Sequence, residues 1–152
     1  MKDRPEYRTI RQNMLPGKFS AEGFLGDDDR SLVDILRDDQ AVVERLGLTH
    51  VIIAQKMKYL TRQGKAGLEK PIVVDDAYEV VVEEFMGRIP CPYRDSWGTY
   101  KRNTTVKRLR DGKVLIWSDM GIHLIADHGF YQGLGSPFRI DPEELAEFLG
   151  LS

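Results

Sequence analysis

Apolar residues recur at helical spacing in the first half of the chain. The first such segment carries Leu32, Ile35, Leu36, Val43 and Leu46. Asp27, Asp28 and Asp29 stand before it and offer N-cap side chains together with favourable charge at a helix N-terminus. Asp38 and Asp39 interrupt the apolar face, so the pattern predicts either one helix or two short ones.

A second helix is predicted from Thr49, which can cap it, to about Gln63. Its inward positions are Ile52, Ile53, Met57 and Leu60. Gly47, which ends the preceding helix, suits a C-terminal cap. The two helices together resemble an ordinary helical hairpin more than a helix-turn-helix, because the start of the second one is apolar where base-reading residues would stand.

Residues 1–26 are punctuated by prolines and glycines and show no regular period. They nevertheless contain several large apolar side chains, namely Met14, Leu15, Phe19, Phe24 and Leu25. A free tail rarely carries so many. We therefore predict an irregular N-terminal arm packed on one domain that spans residues 1–152.

The spacing of apolar residues changes after Pro71, from a helical pattern to one typical of strands. Residues 78–82, Tyr-Glu-Val-Val-Val, predict a strand, and residues 90–92, Pro-Cys-Pro, predict an edge or a loop because each proline disfavours helix before it. Residues 104–109 and 113–117 flank Asp111-Gly112, which predicts a hairpin with a type I′ turn. In that register Leu109 faces Val114 and Val106 faces Trp117.

Two helices are predicted near the C-terminus. One begins at Ser118 and ends at His128, with Gly129 as its stop. The other begins at Asp141-Pro142-Glu143-Glu144, where an Asp cap, a proline at the first helical position and a capping-box glutamate coincide. Helices, then strands, then helices define an α+β fold: a helical N-terminal half, followed by a small antiparallel β-sheet with C-terminal helices.

Composition narrows the protein class without naming a function. The chain has 152 residues, 41% hydrophobic and 30% charged, and a formal net charge of −2, which is typical of a globular domain rather than of a polyanion-binding one. Its single cysteine allows no internal disulfide, so a reducing, cytoplasmic location is expected. No stretch approaches the roughly 20 apolar residues that would span a membrane. Oligomeric state, cofactor and the choice between enzyme and non-enzyme stay open.

Titratable side chains concentrate in the helix predicted at 118–128. Asp119, His123 and Asp127 occupy positions i, i+4 and i+8, which stack along one helix face, and His128 follows. A carboxylate beside an imidazole can orient a general base or a metal-bound histidine. His123, Asp127 and His128, with Cys91, are therefore candidate metal ligands. The same polar face would also serve simply to solvate the helix.

The glycine-rich loop 129–137 could bind an anion through its backbone. It lacks the strand-loop-helix context of known phosphate-binding loops, so a close-packed turn is the alternative. Ligand-binding candidates here are Gly133, Gly135, Ser136 and Arg139, together with His123, Asp127 and His128.

Residues 93–113 are basic and interleaved with aromatic side chains, a composition that can bind single-stranded nucleic acid. The candidates are Arg94, Trp97, Tyr100, Lys101, Arg102, Lys107 and Arg108. A charged hairpin that protects a sheet edge is the alternative.

Three hypotheses follow. The first is a non-catalytic binding or accessory module for a small anionic ligand or a partner protein. The second is a small metal-dependent hydrolase that uses His123, Asp127 and His128. The third is a single-stranded nucleic-acid binder that uses residues 93–113.

Overall fold

The α+β class is confirmed by a computed structural model, which describes residues 2–95 and 98–152. Over these residues the helices are α1 (Pro5–Asn13), α2 (Leu32–Arg45), α3 (His50–Gly64), α4 (Asp119–His128) and α5 (Pro142–Phe148). The strands are β1 (Ile72–Val74), β2 (Tyr78–Ile89), β3 (Thr99–Arg108) and β4 (Val114–Ser118). They form one antiparallel sheet in the order β1-β2-β3-β4.

Helix α2 is continuous, although Asp39 lies on its apolar face. The Asp39 carboxylate is buried and accepts hydrogen bonds from Arg139 at 2.6 and 2.9 Å. A buried carboxylate that is paired in this way does not break a helix. Of the two alternatives, the single helix is therefore the one that forms.

Helix α3 begins at the predicted cap, where the Thr49 hydroxyl accepts a hydrogen bond from the Ile52 amide. It lies across the sheet and buries Ile53, Met57 and Leu60 in a core shared with β2 and β3. At Gly64 the helix approaches β2 so closely that an added Cβ would collide with Val80. This packing fixes one side of α3 and leaves its opposite side to solvent.

The hairpin between β3 and β4 forms, but the predicted register is wrong. Val106 pairs with Leu115, and Trp117 pairs with Thr104. Gly112 has a positive φ of 75°, whereas Asp111 does not take the positive φ that a type I′ turn requires at both central residues. The Asp111 carboxylate instead binds the Arg108 guanidinium and the Lys113 amide, which stabilises a longer turn.

Strand β2 extends to Ile89, well beyond the predicted 78–82, and its pairing with β3 shifts between Phe85 and Arg88. The segment after it is irregular, as Pro90 and Pro92 predicted, and places Cys91 in the interior. The carbonyl of Cys91 accepts a hydrogen bond from the Arg94 amide, and Arg94 has a φ of 58°. The chain therefore turns back on itself immediately after β2.

The N-terminal arm is not wholly irregular, because α1 occupies part of the segment 1–26. This helix begins with Pro5 at its first position, a placement that proline favours. After the helix, Met14, Phe24 and Leu25 are buried against α2 and α4. The side chain of Asn13 donates a hydrogen bond to the carbonyl of Pro92 at 2.9 Å, so the arm also contacts the segment after β2.

Among the described residues, no helix combines the length and the apolar character needed to cross a membrane.

Candidate metal centre

Helix α4 is the element that presents His123 and His128. Its N-cap is Ser118, whose hydroxyl accepts from the Gly121 amide at 2.9 Å, and its C-cap is Gly129 in the left-handed conformation. Both ends were predicted from the sequence. Because Leu124 and Ile125 are buried in the core, His123 and Asp127 lie on the side of the helix that faces outward.

Four potential ligand atoms converge beside α4. Cys91, Asp95, His123 and His128 each offer one such atom, and these atoms all lie within 4.8 Å of one another. Nε2 of His128 is 2.6 Å from Oδ2 of Asp95 and 3.9 Å from Sγ of Cys91. Nε2 of His123 is 3.2 Å from Oδ1 of Asp95. We call these four residues the Cys91 cluster.

Two chain segments build the cluster. Cys91 and Asp95 come from the turn after β2, where the Arg94-to-Cys91 hydrogen bond folds the segment, and the histidines come from α4. The Tyr93 ring stacks on His128 with ring centroids 3.7 Å apart and an interplanar angle of 2°. This stacking fixes the plane of the His128 ring and directs Nε2 towards Asp95.

Asp127 lies on the opposite side of His123 from the cluster. Its Oδ2 is 3.1 Å from Nδ1 of His123, while Nε2 of the same ring faces Asp95. In metal sites a carboxylate commonly holds the outer nitrogen of a ligating histidine and fixes its tautomer and orientation. Asp127, predicted as a ligand candidate, therefore occupies the place of a positioning residue.

The electrostatics of the cluster favour a carboxylate and a protonated thiol. Burial alone would raise the pKa of Asp95, but hydrogen bonds from Cys91, His128 and His123 outweigh it and hold that pKa at about 2. Burial, and after it the nearby Asp95 carboxylate, raises the pKa of Cys91 to about 12. A metal ion that displaces the thiol proton would supply the positive charge that a thiolate in this position needs.

The same geometry argues against a cysteine nucleophile. A catalytic triad needs the nucleophile and the carboxylate on opposite nitrogens of one imidazole. Here Cys91 and Asp95 both approach Nε2 of His128. The Cys91 side chain is also fully buried. Four potential ligand atoms within 4.8 Å of one another match metal ligation better than a proton relay.

The sequence singled out Cys91, His123 and His128 as candidates, and the structure brings them together. It adds Asp95, which sequence reasoning missed. His50 is not a member of the Cys91 cluster. Its Nδ1 lies 2.9 Å from the hydroxyl of Tyr131.

From Gly133 onward the glycine-rich loop packs on the N-terminal arm. The Gly133 amide donates to the Phe24 carbonyl, and an added Cβ on Gly133 would collide with the Leu25 backbone. The Ser136 hydroxyl donates to Gln132 within the loop, and Gly135 lies beside Asp27. Arg139, the cation predicted to bind an anion beside this loop, forms an ion pair with Asp39.

In the basic segment 93–113, two of the candidate arginines form ion pairs within the protein. Arg102 pairs with Asp119 and Glu84, and Arg108, which is buried, pairs with Asp111 and Glu147. The side chains of Arg94, Tyr100, Lys101 and Lys107 are exposed. Trp97 lies outside the described residues.

A cleft of about 500 Å³ runs beside the cluster between α3 and α4. His123 and Asp127 form part of one wall, and α3 forms the other. Since His123 belongs both to the cluster and to the cleft wall, a metal ion at the cluster would lie at the edge of this space.

Comparisons of the chain with protein-family models, with curated proteins and with solved structures gave no match.

Proposed function

We propose that the protein binds one zinc ion through Cys91, Asp95, His123 and His128. The observation that carries the proposal is the convergence of four ligand atoms of suitable chemistry within 4.8 Å of one another. Exposed acidic groups often lie close together without a metal ion. A buried thiol and two imidazoles around one carboxylate are a rarer combination, and metal binding accounts for it.

The donor types favour zinc over the harder cations. Thiolate and imidazole suit zinc, whereas calcium and magnesium prefer sets made of oxygen alone. Zinc takes four such ligands tetrahedrally, at about 2.0–2.3 Å. The observed separations of 2.6, 3.2 and 3.9 Å bracket the spacing of roughly 3.3–3.8 Å that such ligands take around one ion. Small side-chain adjustments would complete the site.

Metal content per chain tests the proposal. Untagged protein, purified without chelators, is expected to contain close to one zinc per chain by elemental analysis. His123→Ala should lose the ion, whereas His50→Ala, a histidine outside the cluster, should keep it. If wild-type protein stays metal-free after incubation with zinc and dialysis, the proposal is wrong.

Cobalt substitution tests the ligand set itself. Co²⁺ occupies zinc sites, and a thiolate ligand gives it a charge-transfer absorption in the near ultraviolet. We expect this band in the wild type and its loss in Cys91→Ser, with the visible bands of a four-coordinate ion retained in part. A wild-type cobalt spectrum without the thiolate band would remove Cys91 from the site.

A second candidate function, a metal-dependent hydrolase, is favoured by the cleft that His123 borders. Asp95 is the most exposed member of the cluster, with 30% of its side chain accessible, and is the ligand best placed to exchange with water. Zinc lowers the pKa of a bound water to about 7 and so supplies hydroxide at neutral pH. In that function Asp127 would hold His123 in place and the cleft would hold the substrate.

Turnover of p-nitrophenyl acetate and p-nitrophenyl phosphate separates the two functions. A hydrolase should lose its activity on chelation and in His123→Ala, and recover it only in the chelated wild type when zinc is restored. A fully zinc-loaded wild type that turns over neither ester, while chelation lowers its thermal stability, favours an ion that only stabilises the fold.

A further inference from the structure

We infer that the cleft between α3 and α4 binds a small organic anion, through Lys58, Arg62 and Lys65. This inference does not require the proposed zinc ion. It also places the anion at a different position from the glycine-rich loop at which the sequence suggested one.

The first observation is the row of cations along α3 and the helical turn that follows it. Lys58, Arg62 and Lys65 are spaced by four and three residues, which puts them on one helix face, and all three line the cleft. None of them takes part in an ion pair with another described residue. Like charges at i and i+4 repel each other and destabilise a helix. An anion lying along this face would remove that repulsion.

The second observation is the opposite wall. Arg102 contributes a fourth cation there, held by Asp119, with N–O distances of 2.8 Å. Of the buried side-chain oxygens in the described residues, those without a hydrogen-bond partner are in Tyr93, Thr99 and Asp119. Thr99 and Asp119 both line the cleft. Of these two, the Thr99 hydroxyl can donate a hydrogen bond to an anion, whereas the Asp119 carboxylate oxygen only accepts and does not contribute to anion binding.

The third observation is the volume of the cleft and the apolar character of its floor. At about 500 Å³ the cleft falls within the range of small-molecule sites, and its floor is apolar, formed by Ala54, Ile122 and Ala126. Arg102 is paired with Asp119 and Glu84, so the three cations Lys58, Arg62 and Lys65 remain against the single carboxylate of Asp127. This chemistry suits a phosphate, sulfonate or carboxylate group joined to an apolar body.

A matched pair of fluorescent probes tests the inference. Anilinonaphthalene sulfonate has an apolar body with one anionic group, and N-phenylnaphthylamine has the same rings without the charge. We expect wild-type protein to bind the sulfonate at least tenfold more tightly than the amine, and salt to weaken only the sulfonate.

The variant Lys58→Gln/Arg62→Gln/Lys65→Gln should bind the sulfonate about tenfold more weakly, because three favourable charge interactions are lost together. The control Lys18→Gln/Lys70→Gln/Lys107→Gln removes three exposed charges outside the cleft and should bind within about twofold of wild type. Circular dichroism melts establish that both variants are folded, and the three changed positions that line the cleft are all exposed.

Equal sulfonate binding by wild type and by the Lys58 triple variant would overturn the inference. So would equal affinity for both probes. Metal content is measured on the same samples. A normal zinc content without sulfonate discrimination rejects the anion site alone, and sulfonate discrimination without zinc rejects the metal site alone.

Discussion

Oδ2 of Asp127 lies 3.1 Å from Nδ1 of His123, one helical turn away on α4. The i, i+4 spacing that the sequence displays thus becomes a contact that leaves Nε2 of the same ring directed at Asp95. The contact therefore does more than give the helix a polar face, because it also fixes the orientation of the His123 ring.

Replacing Asp127 by Asn should therefore weaken zinc binding without abolishing it. Carboxylates that support a ligating histidine are typically worth tenfold to a hundredfold in metal affinity. Competition with a chromophoric chelator measures the change. Asp76→Asn, an exposed acid in the turn before β2, is the control and should match the wild type. Unchanged affinity in Asp127→Asn would show that this contact does not position the ring.

Removal of the ion should lower the melting temperature. A ligand that binds only the folded state stabilises it by about 2.7 kcal/mol at a concentration one hundred times its Kd. For a chain of this size that corresponds to roughly 5–10 °C. Scanning calorimetry with and without a chelator measures the shift. His123→Ala should melt at the same temperature in both conditions, and a chelator effect that persists in this variant would place the ion elsewhere.

The ion pair between Asp39 and Arg139 should be costly to break. Both side chains are nearly inaccessible, at 5% and 12% exposure. Removing one member leaves the other charged and buried, which typically costs 3–5 kcal/mol. We expect Asp39→Ala to lower the free energy of unfolding in urea by about 3 kcal/mol.

The double variant Asp39→Ala/Arg139→Met is the control for that cost. Its loss in free energy of unfolding should be smaller than the sum of the losses in the two single variants, because neither charge is then left buried without its partner. Additive losses would mean that the two side chains contribute independently.

Tyr78 should make stability depend on alkaline pH. Its hydroxyl donates to the carbonyl of Phe148 at 2.6 Å, and burial raises its pKa above the ordinary value. The folded state therefore holds this proton more tightly than the unfolded state. The resulting stabilisation is complete below about pH 10 and is lost as the pH rises from there through the folded pKa.

Tyr78→Phe separates this effect from other alkaline titrations. At neutral pH the variant should be less stable by about 1–2 kcal/mol, since the Phe148 carbonyl loses its donor. Urea unfolding between about pH 7 and about pH 11 should show this difference shrinking above pH 10. A difference that stays constant over that range would mean that Tyr78 does not carry the effect.

The helix ends were predictable because their causes are local. Ser118 and Gly129 bound α4, and Asp141 with Pro142 begins α5, each through a cap that acts within a few residues. The β3–β4 register was not predictable, since Asp111 uses its carboxylate to bind Arg108 and so selects a longer turn. Dipeptide statistics do not contain that side-chain interaction.

The candidate site was predictable in part for a similar reason. Cys91, His123 and His128 stand out because cysteine and histidine are rare in this chain. Asp95 is one of 24 acidic residues, and nothing in its local sequence marks it as a ligand. Only the packing of the turn after β2 against α4 brings its carboxylate to the imidazoles.

That turn has a second neighbour. The Asn13 side chain donates a hydrogen bond to the Pro92 carbonyl, so the segment that supplies Cys91 and Asp95 contacts both the N-terminal arm and α4. Thermodynamic coupling between two such contacts is reciprocal. If zinc binds and orders this turn as proposed, it should also strengthen the contact between the turn and the arm, and removal of the arm should weaken zinc binding. Residues 1–26 would then be cleaved more slowly by proteases when the metal is bound than when it is removed.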